Sequence, residues 1–162
     1  MAARPQASFK SLFGKYLGLG SRGELVVRGP AAIYQATRPA VTATISISAE
    51  GASVANQRDI TITLKDNNGK AIDYAEVFEI VVFSSSAMTD FVATGGSTGI
   101  AQGSGGNTGK ILALVAKKVF RAISDTSGVI AVIYTDTGTE AVYLGVRLPN
   151  GEVVGIGALT NA

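Results

Sequence analysis

Residues 60 to 69 read Ile60-Thr61-Ile62-Thr63-Leu64-Lys65-Asp66-Asn67-Asn68-Gly69, and this stretch decides the fold class. Ile60, Ile62 and Leu64 alternate with Thr61, Thr63 and Lys65, so one face is apolar and the other polar, the period of a half-buried strand. Asp66 to Gly69 then supplies turn chemistry, because Asn and Gly tolerate positive φ and Asp bonds its own backbone. Upstream, Val41, Ala43, Ile45 and Ile47 alternate with Thr42, Thr44, Ser46 and Ser48 in the same way. Downstream, Val77 to Phe83 is nearly all apolar and reads as a central strand buried on both faces. Phe91 to Thr94 reads as a short strand, and Lys110 to Val115 and Val129 to Tyr134 as fuller ones. Lys117 to Ile123 fits either a helical turn or a bulged strand. Ala141 to Leu148 and Glu152 to Leu159 flank Pro149-Asn150-Gly151, and Asn-Gly between two such runs is the strongest short hairpin signal.

Seven to nine short strands separated by turn residues, with no strand-helix alternation, predict an all-β chain. The expected architecture is an antiparallel, Ig-like β-sandwich over residues 41–162. No repeat of fixed period is present. The chain has 162 residues, 46% hydrophobic and only 16% charged, enough to bury a core. No apolar run approaches the ~18 residues of a membrane span. No apolar signal-peptide core follows the first basic residues, so synthesis in the cytoplasm without export by a signal of its own is expected.

Residue types absent from the chain remove much chemistry. It has no Cys, His or Trp, which excludes Cys/His zinc sites, disulfides and Ser-His-Asp or Cys-His nucleophiles. Residues 95–109 carry seven Gly, but Gly109-Lys110 is followed by Ile111 and lacks the spacing of a phosphate-binding loop. That segment reads as a mobile rim loop. Asp59, Asp66, Asp73, Asp125 and Asp136 border turns, Glu76 and Glu79 flank a strand, and none forms a calcium loop. No catalytic residue, cofactor or metal is expected. Lys117, Lys118 and Arg121 form a small basic cluster that reads as an exposed turn or a subunit contact.

Charge divides the chain. Residues 1–40 hold six basic residues and one acid, Glu24, a net of +5, whereas residues 41–162 hold eight basic and eleven acidic residues. Residues 1–40 therefore read as a basic arm. Phe9, Leu12, Phe13, Tyr16 and Leu17 fall on one helical stripe, with Ser8 as N-cap and Gly18 as terminator. Such a helix of about ten residues is marginal alone and needs a surface to cover its stripe. Gly18 to Pro39 reads as a Gly/Pro connector. The expected partner-binding residues are Phe9, Lys10, Leu12, Phe13, Lys15, Tyr16, Leu17, Arg22 and Arg28. Nucleic acid is the less expected partner, because the body has no basic stripe with interleaved aromatics.

The segment Asp59 to Phe83, DITITLKDNNGKAIDYAEVFEIVVF, resembles bacterial Ig-like repeats of invasin type, with a strand, an Asp/Asn-Gly turn and a strand ending in Val-x-Phe. The segment Lys117 to Ala162 resembles small structural proteins of tailed-bacteriophage virions. The resemblance implies a capsid decoration, or cement, protein. Such a protein would be homotrimeric, made in the host cytoplasm, and seated on the outer capsid lattice against the major capsid protein. The arm would supply the adhesive contact, multiplied over many copies. An alternative is an Ig-like head- or tail-fibre adhesin that binds a host surface through residues 95–109.

Overall fold

The structure is a computed structural model and describes residues 17–19, 25–27, 40–52, 54–103 and 108–161. The chain divides into two units, Met1–Pro39 and Ala40–Ala162.

In the first unit, β1 (Leu17–Leu19) and β2 (Leu25–Val27) pair antiparallel, with Leu17 opposite Val27 and Leu19 opposite Leu25. This departs from the sequence expectation, which ended a helix at Leu17 and Gly18 and read the following residues as connector. Val26 and Val27 favour the extended backbone, and pairing with them draws Leu17 and Gly18 into a strand. The other expected arm residues, Phe9, Lys10, Leu12, Phe13, Lys15, Tyr16, Arg22 and Arg28, lie outside the described residues.

The second unit is all-β. Its strands are β3 (Thr42–Ile47), β4 (Gln57–Lys65), β5 (Val77–Phe83), β6 (Gly99–Gln102), β7 (Lys110–Val115), β8 (Val119–Ile123), β9 (Val129–Thr135), β10 (Tyr143–Arg147) and β11 (Val153–Ala158). They form a four-stranded sheet, β3-β4-β9-β6, and a five-stranded sheet, β11-β10-β5-β8-β7. Every neighbouring pair is antiparallel.

Alternation decides what each strand buries. Ile60, Ile62 and Leu64 of β4 and Ile130, Val132 and Tyr134 of β9 turn inward from one sheet. Phe78, Ile80 and Val82 of β5, Phe120 and Ala122 of β8, and Leu144 and Val146 of β10 meet them from the other. These side chains form one core between two layers.

The turns follow their sequence signals. Asp66 Oδ1 accepts the N–H groups of Asn68 and Lys70, and Gly69 takes φ +75°. Gly151 takes φ +88°, and Leu148 N–H donates to Glu152 O across the β10–β11 hairpin. The segment left open, Lys117–Ile123, is a strand from Val119. It follows a tight turn in which Lys117 has φ +61° and Lys118 N–H donates to Val115 O.

Two segments differ from expectation. Within residues 95–109, read as a loop, Gly99–Gln102 is strand β6, laddered to Thr135–Val132 of β9. Buried Ile100 anchors it to the core. Residues 91–94 make only a single bridge, Phe91 to Phe83, supported by Val92 N–H donating to Val82 O.

Candidate protein-binding face

The outer face of the five-stranded sheet follows from register. Because Phe78, Ile80 and Val82 face the core, Val77, Glu79, Val81 and Phe83 face outward. Pairing sets Ile123 beside Val77, Arg121 beside Glu79 and Val119 beside Val81. On the other side of β5, Arg147 lies beside Glu79 and Tyr143 beside Phe83. Next to β8, β7 presents Lys110 opposite Ile123, Leu112 opposite Arg121 and, past a bulge, Val115 opposite Val119.

This face is apolar apart from one charged rung and Lys110 at its edge. Glu79 accepts from Arg121 Nη2 at 3.2 Å and from Arg147 Nη1 at 3.1 Å, both near the surface. These three residues, with Val77, Leu148 and Pro149, line a shallow depression of about 330 Å³. Toward the other end, Phe83 and Phe91 stack at 6.4 Å with their rings 2° from parallel. Room for Phe83 depends on Gly145, where a Cβ would stand 2.9 Å from the Phe83 ring and 3.0 Å from Val153. Phe83 and Val81 are buried on a face that points away from the core. The same face leaves Val77, Phe91, Leu112, Val115 and Ile123 exposed.

Four of the carboxylates singled out in the sequence, Asp66, Asp125, Asp136 and Glu76, hold backbone N–H groups. Asp125 Oδ1 accepts the N–H groups of Ser127 and Val129. Asp136 accepts from Ser97 N–H, Gly138 N–H and the Tyr134 hydroxyl. Burial, and then the Asp136 carboxylate, push the Tyr134 phenol well above its ordinary range. Glu76 Oε2 accepts from Ala40 N–H and from the Tyr74 hydroxyl. Burial and Glu76 raise the Tyr74 phenol to about 12.

The glycine pair of the expected rim loop has a structural use. Gly95 and Gly96 take φ +78° and +86° and lie against Lys117 and Tyr134, where no side chain fits. Their N–H groups form a small anion nest, and the carboxylate in it is the chain's own Glu140. Glu140 accepts from Gly95 N–H, Gly96 N–H, Thr94 N–H and the Thr94 hydroxyl. Partial burial pushes the Glu140 carboxyl up, but these hydrogen bonds outweigh it and hold the group below its ordinary value. Lys117, from the basic cluster, donates to Gly96 O and Ser97 O. Sequence reading did not identify Glu140, since no motif links it to residues more than forty positions away.

Of the expected partner-binding residues, only Leu17 lies among the described residues, in β1. Among the described residues no group of His, Cys, Asp and Glu could hold a metal ion, and no helix is long and apolar enough to cross a membrane. The sequence signal for the outer face was present in two places. One was the unbroken apolar run at Val81–Phe83, and the other was the nearly uncharged stretch Lys110–Val115. No protein-family model matches the chain, and no curated protein matches it in sequence.

Proposed function

We propose that the protein is a non-enzymatic virion structural protein of capsid-decoration type, with an Ig-like sandwich as its body. It binds the major capsid protein on the outer capsid lattice as a homotrimer. Its mechanism is adhesive. Phe9, Leu12, Phe13, Tyr16 and Leu17 supply apolar contacts, and Lys10, Lys15, Arg22 and Arg28 meet acidic patches on the capsid.

The observation that supports an adhesive role is the outer face of the five-stranded sheet. There an apolar surface is left exposed, while Asp66, Asp125, Asp136 and Glu140 are committed to holding turns and crossings. Exposed apolar surface of this kind marks contact with other proteins. The fibre-adhesin alternative draws less support, because Gly99–Gln102 of its binding segment is laddered to β9.

The test is co-sedimentation of the full chain with purified phage heads, beside Lys10→Glu/Lys15→Glu and Phe9→Ala/Phe13→Ala variants. Saturable binding by the full chain, weakened at least tenfold in both variants, is expected. Binding unchanged in both variants removes the arm from the mechanism. No binding by the full chain removes the decoration role. Light scattering of the free protein checks the trimer.

A further inference from the structure

We infer that the free edge of β7 accepts an extended segment of a partner protein in which carboxylates alternate with apolar residues. The inference is independent of the capsid assignment and rests on three features of β7.

The first is its place in the sheet. β7 ends the order β11-β10-β5-β8-β7, and among the described residues no strand pairs with its outer side. The opposite edge differs. β3 packs against β11 closely enough that a Cβ at Gly157 would clash with Ile47 and touch Ile45. A strand edge offers unpaired N–H and C=O groups to any incoming extended chain.

The second is its composition. Leu112, Leu114 and Val115 are 66%, 48% and 51% exposed. Solvent-exposed edges are usually guarded by charge, Pro or irregularity. The guards here are Lys110 and the bulge between Ala113 and Val115. The bulge limits regular pairing to Lys110–Ala113, which suits a short peptide.

The third is charge. Residues 41–162 carry an excess of acids, yet three cations, Lys110, Arg121 and Arg147, gather on this face with one carboxylate, Glu79. An added strand would run one spacing, about 4.8 Å, from β7. A carboxylate opposite Lys110 would meet it directly. One opposite Leu112 would reach Arg121 across the next spacing. The alternate side chains of the same strand would fall on the inner flank, beside Ile111 and exposed Ala113. Alternating acidic and apolar residues therefore satisfy both flanks at once.

Other occupants fit less well. A segment of net positive charge, such as residues 1–40 of another copy, carries the wrong sign. A second copy pairing β7 antiparallel with β7 would set Lys110 and Arg121 of both copies on one face, like charge beside like.

The test uses the full chain and two blocked heptapeptides, one alternating Val with Glu and one alternating Val with Lys. Amide hydrogen exchange is followed at each residue of β7. The Val/Glu peptide is expected to slow exchange at Lys110–Ala113 at least tenfold, and the Val/Lys peptide to leave it unchanged. Arg121→Glu should weaken the Val/Glu peptide at least tenfold; Arg121→Ala, at an exposed position, gives the same direction with less risk to folding. No slowing at millimolar Val/Glu peptide overturns the inference. So does equal slowing by both peptides, and so does slowing without peptide that grows with protein concentration as the mass doubles, which assigns the edge to a second copy.

Discussion

The two sheets of the body share one core but differ on their outward sides. On the β3–β4 half of the four-stranded sheet, Thr44 faces Thr63, Ser46 faces Thr61 and Thr42 faces Lys65. These short polar side chains suit water, and the strand alternation is complete. On the five-stranded sheet, the outward positions of β5 are Val77, Glu79, Val81 and Phe83, so the central strand is apolar on both sides. Part of that apolar surface is covered from within the chain, by Phe91 on Phe83. The rest, around β7 and Ile123, is exposed. The β3–β4 half of one sheet is therefore finished in polar side chains, whereas the other sheet is covered only at one end.

The largest expected difference between the two faces is in stability. Phe83 is outward-facing but buried, so Phe83→Ala should cost about 3 kcal/mol, at the low end for a buried Phe. Thr61→Ala, at the matching place on the other sheet, should stay within about 0.5 kcal/mol. Urea unfolding midpoints at constant m-value measure both. A Phe83→Ala cost as small as that of Thr61→Ala would mean that the Phe83–Phe91 cluster is decoration and not part of the fold. Gly145→Ala sharpens the same point. Its Cβ would press on Phe83 and Val153, and overpacking of this kind costs about 1–2 kcal/mol.

A smaller effect, with a pH signature, is expected at Glu140. Residues 84–98 leave β5, lay Phe91 on the outer face and cross to β6 in the other sheet. Glu140 pins this crossing at Thr94, Gly95 and Gly96. Its folded pKa lies below the ordinary 4.5. A lowered carboxylate pKa contributes stability that is complete above the unfolded value and is lost as pH falls through the folded value. The native protein should therefore lose stability on acidification below about pH 4.5. Glu140→Gln should cost about 1 kcal/mol at pH 7 and flatten that acid limb. An unchanged limb in the variant would place the acid sensitivity at other carboxylates.

The contrast between the faces is partly legible in the sequence alone. Ile60–Gly69 declared an alternating strand and its turn, and both stand as read, because each rests on local chemistry: a period of two and an Asp side chain bonding its own backbone. The Asn150-Gly151 hairpin stands for the same reason. What failed was non-local. Gly99–Gln102 looked like part of a glycine loop because its strand character comes from β9 and from the burial of Ile100, neither visible in seven scattered glycines. The Glu140 nest joins positions 94–96 to 140, and no spacing rule spans that distance. Of the arm's expected helix and connector, only Leu17–Leu19 and Leu25–Val27 are described, and there Leu17 and Gly18 stand in a strand paired with Val27 and Val26. The outer face itself was half visible. Val77–Phe83 announced burial on both sides, whereas the exposure of Lys110–Val115 depends on its place at the end of the sheet.

The smallest expected change in stability carries the sharpest consequence for the comparison. Among the described residues Glu79 is the one carboxylate that the strands of the five-stranded sheet turn outward, held between Arg121 and Arg147. Both arginine side chains are more than half exposed, so solvent screens these pairs, and Glu79→Gln should change stability by less than about 1 kcal/mol. The same substitution removes the one negative charge from a face of three cations. Affinity for the alternating Val/Glu peptide should then rise a fewfold and fall more steeply with salt. Asp59→Asn, on the outward side of β4, changes the net charge equally but lies on the polar sheet, and should leave peptide affinity where it was. If both substitutions strengthened the peptide alike, the attraction would belong to the whole molecule's charge, and the five-stranded face would lose its distinction from the four-stranded one.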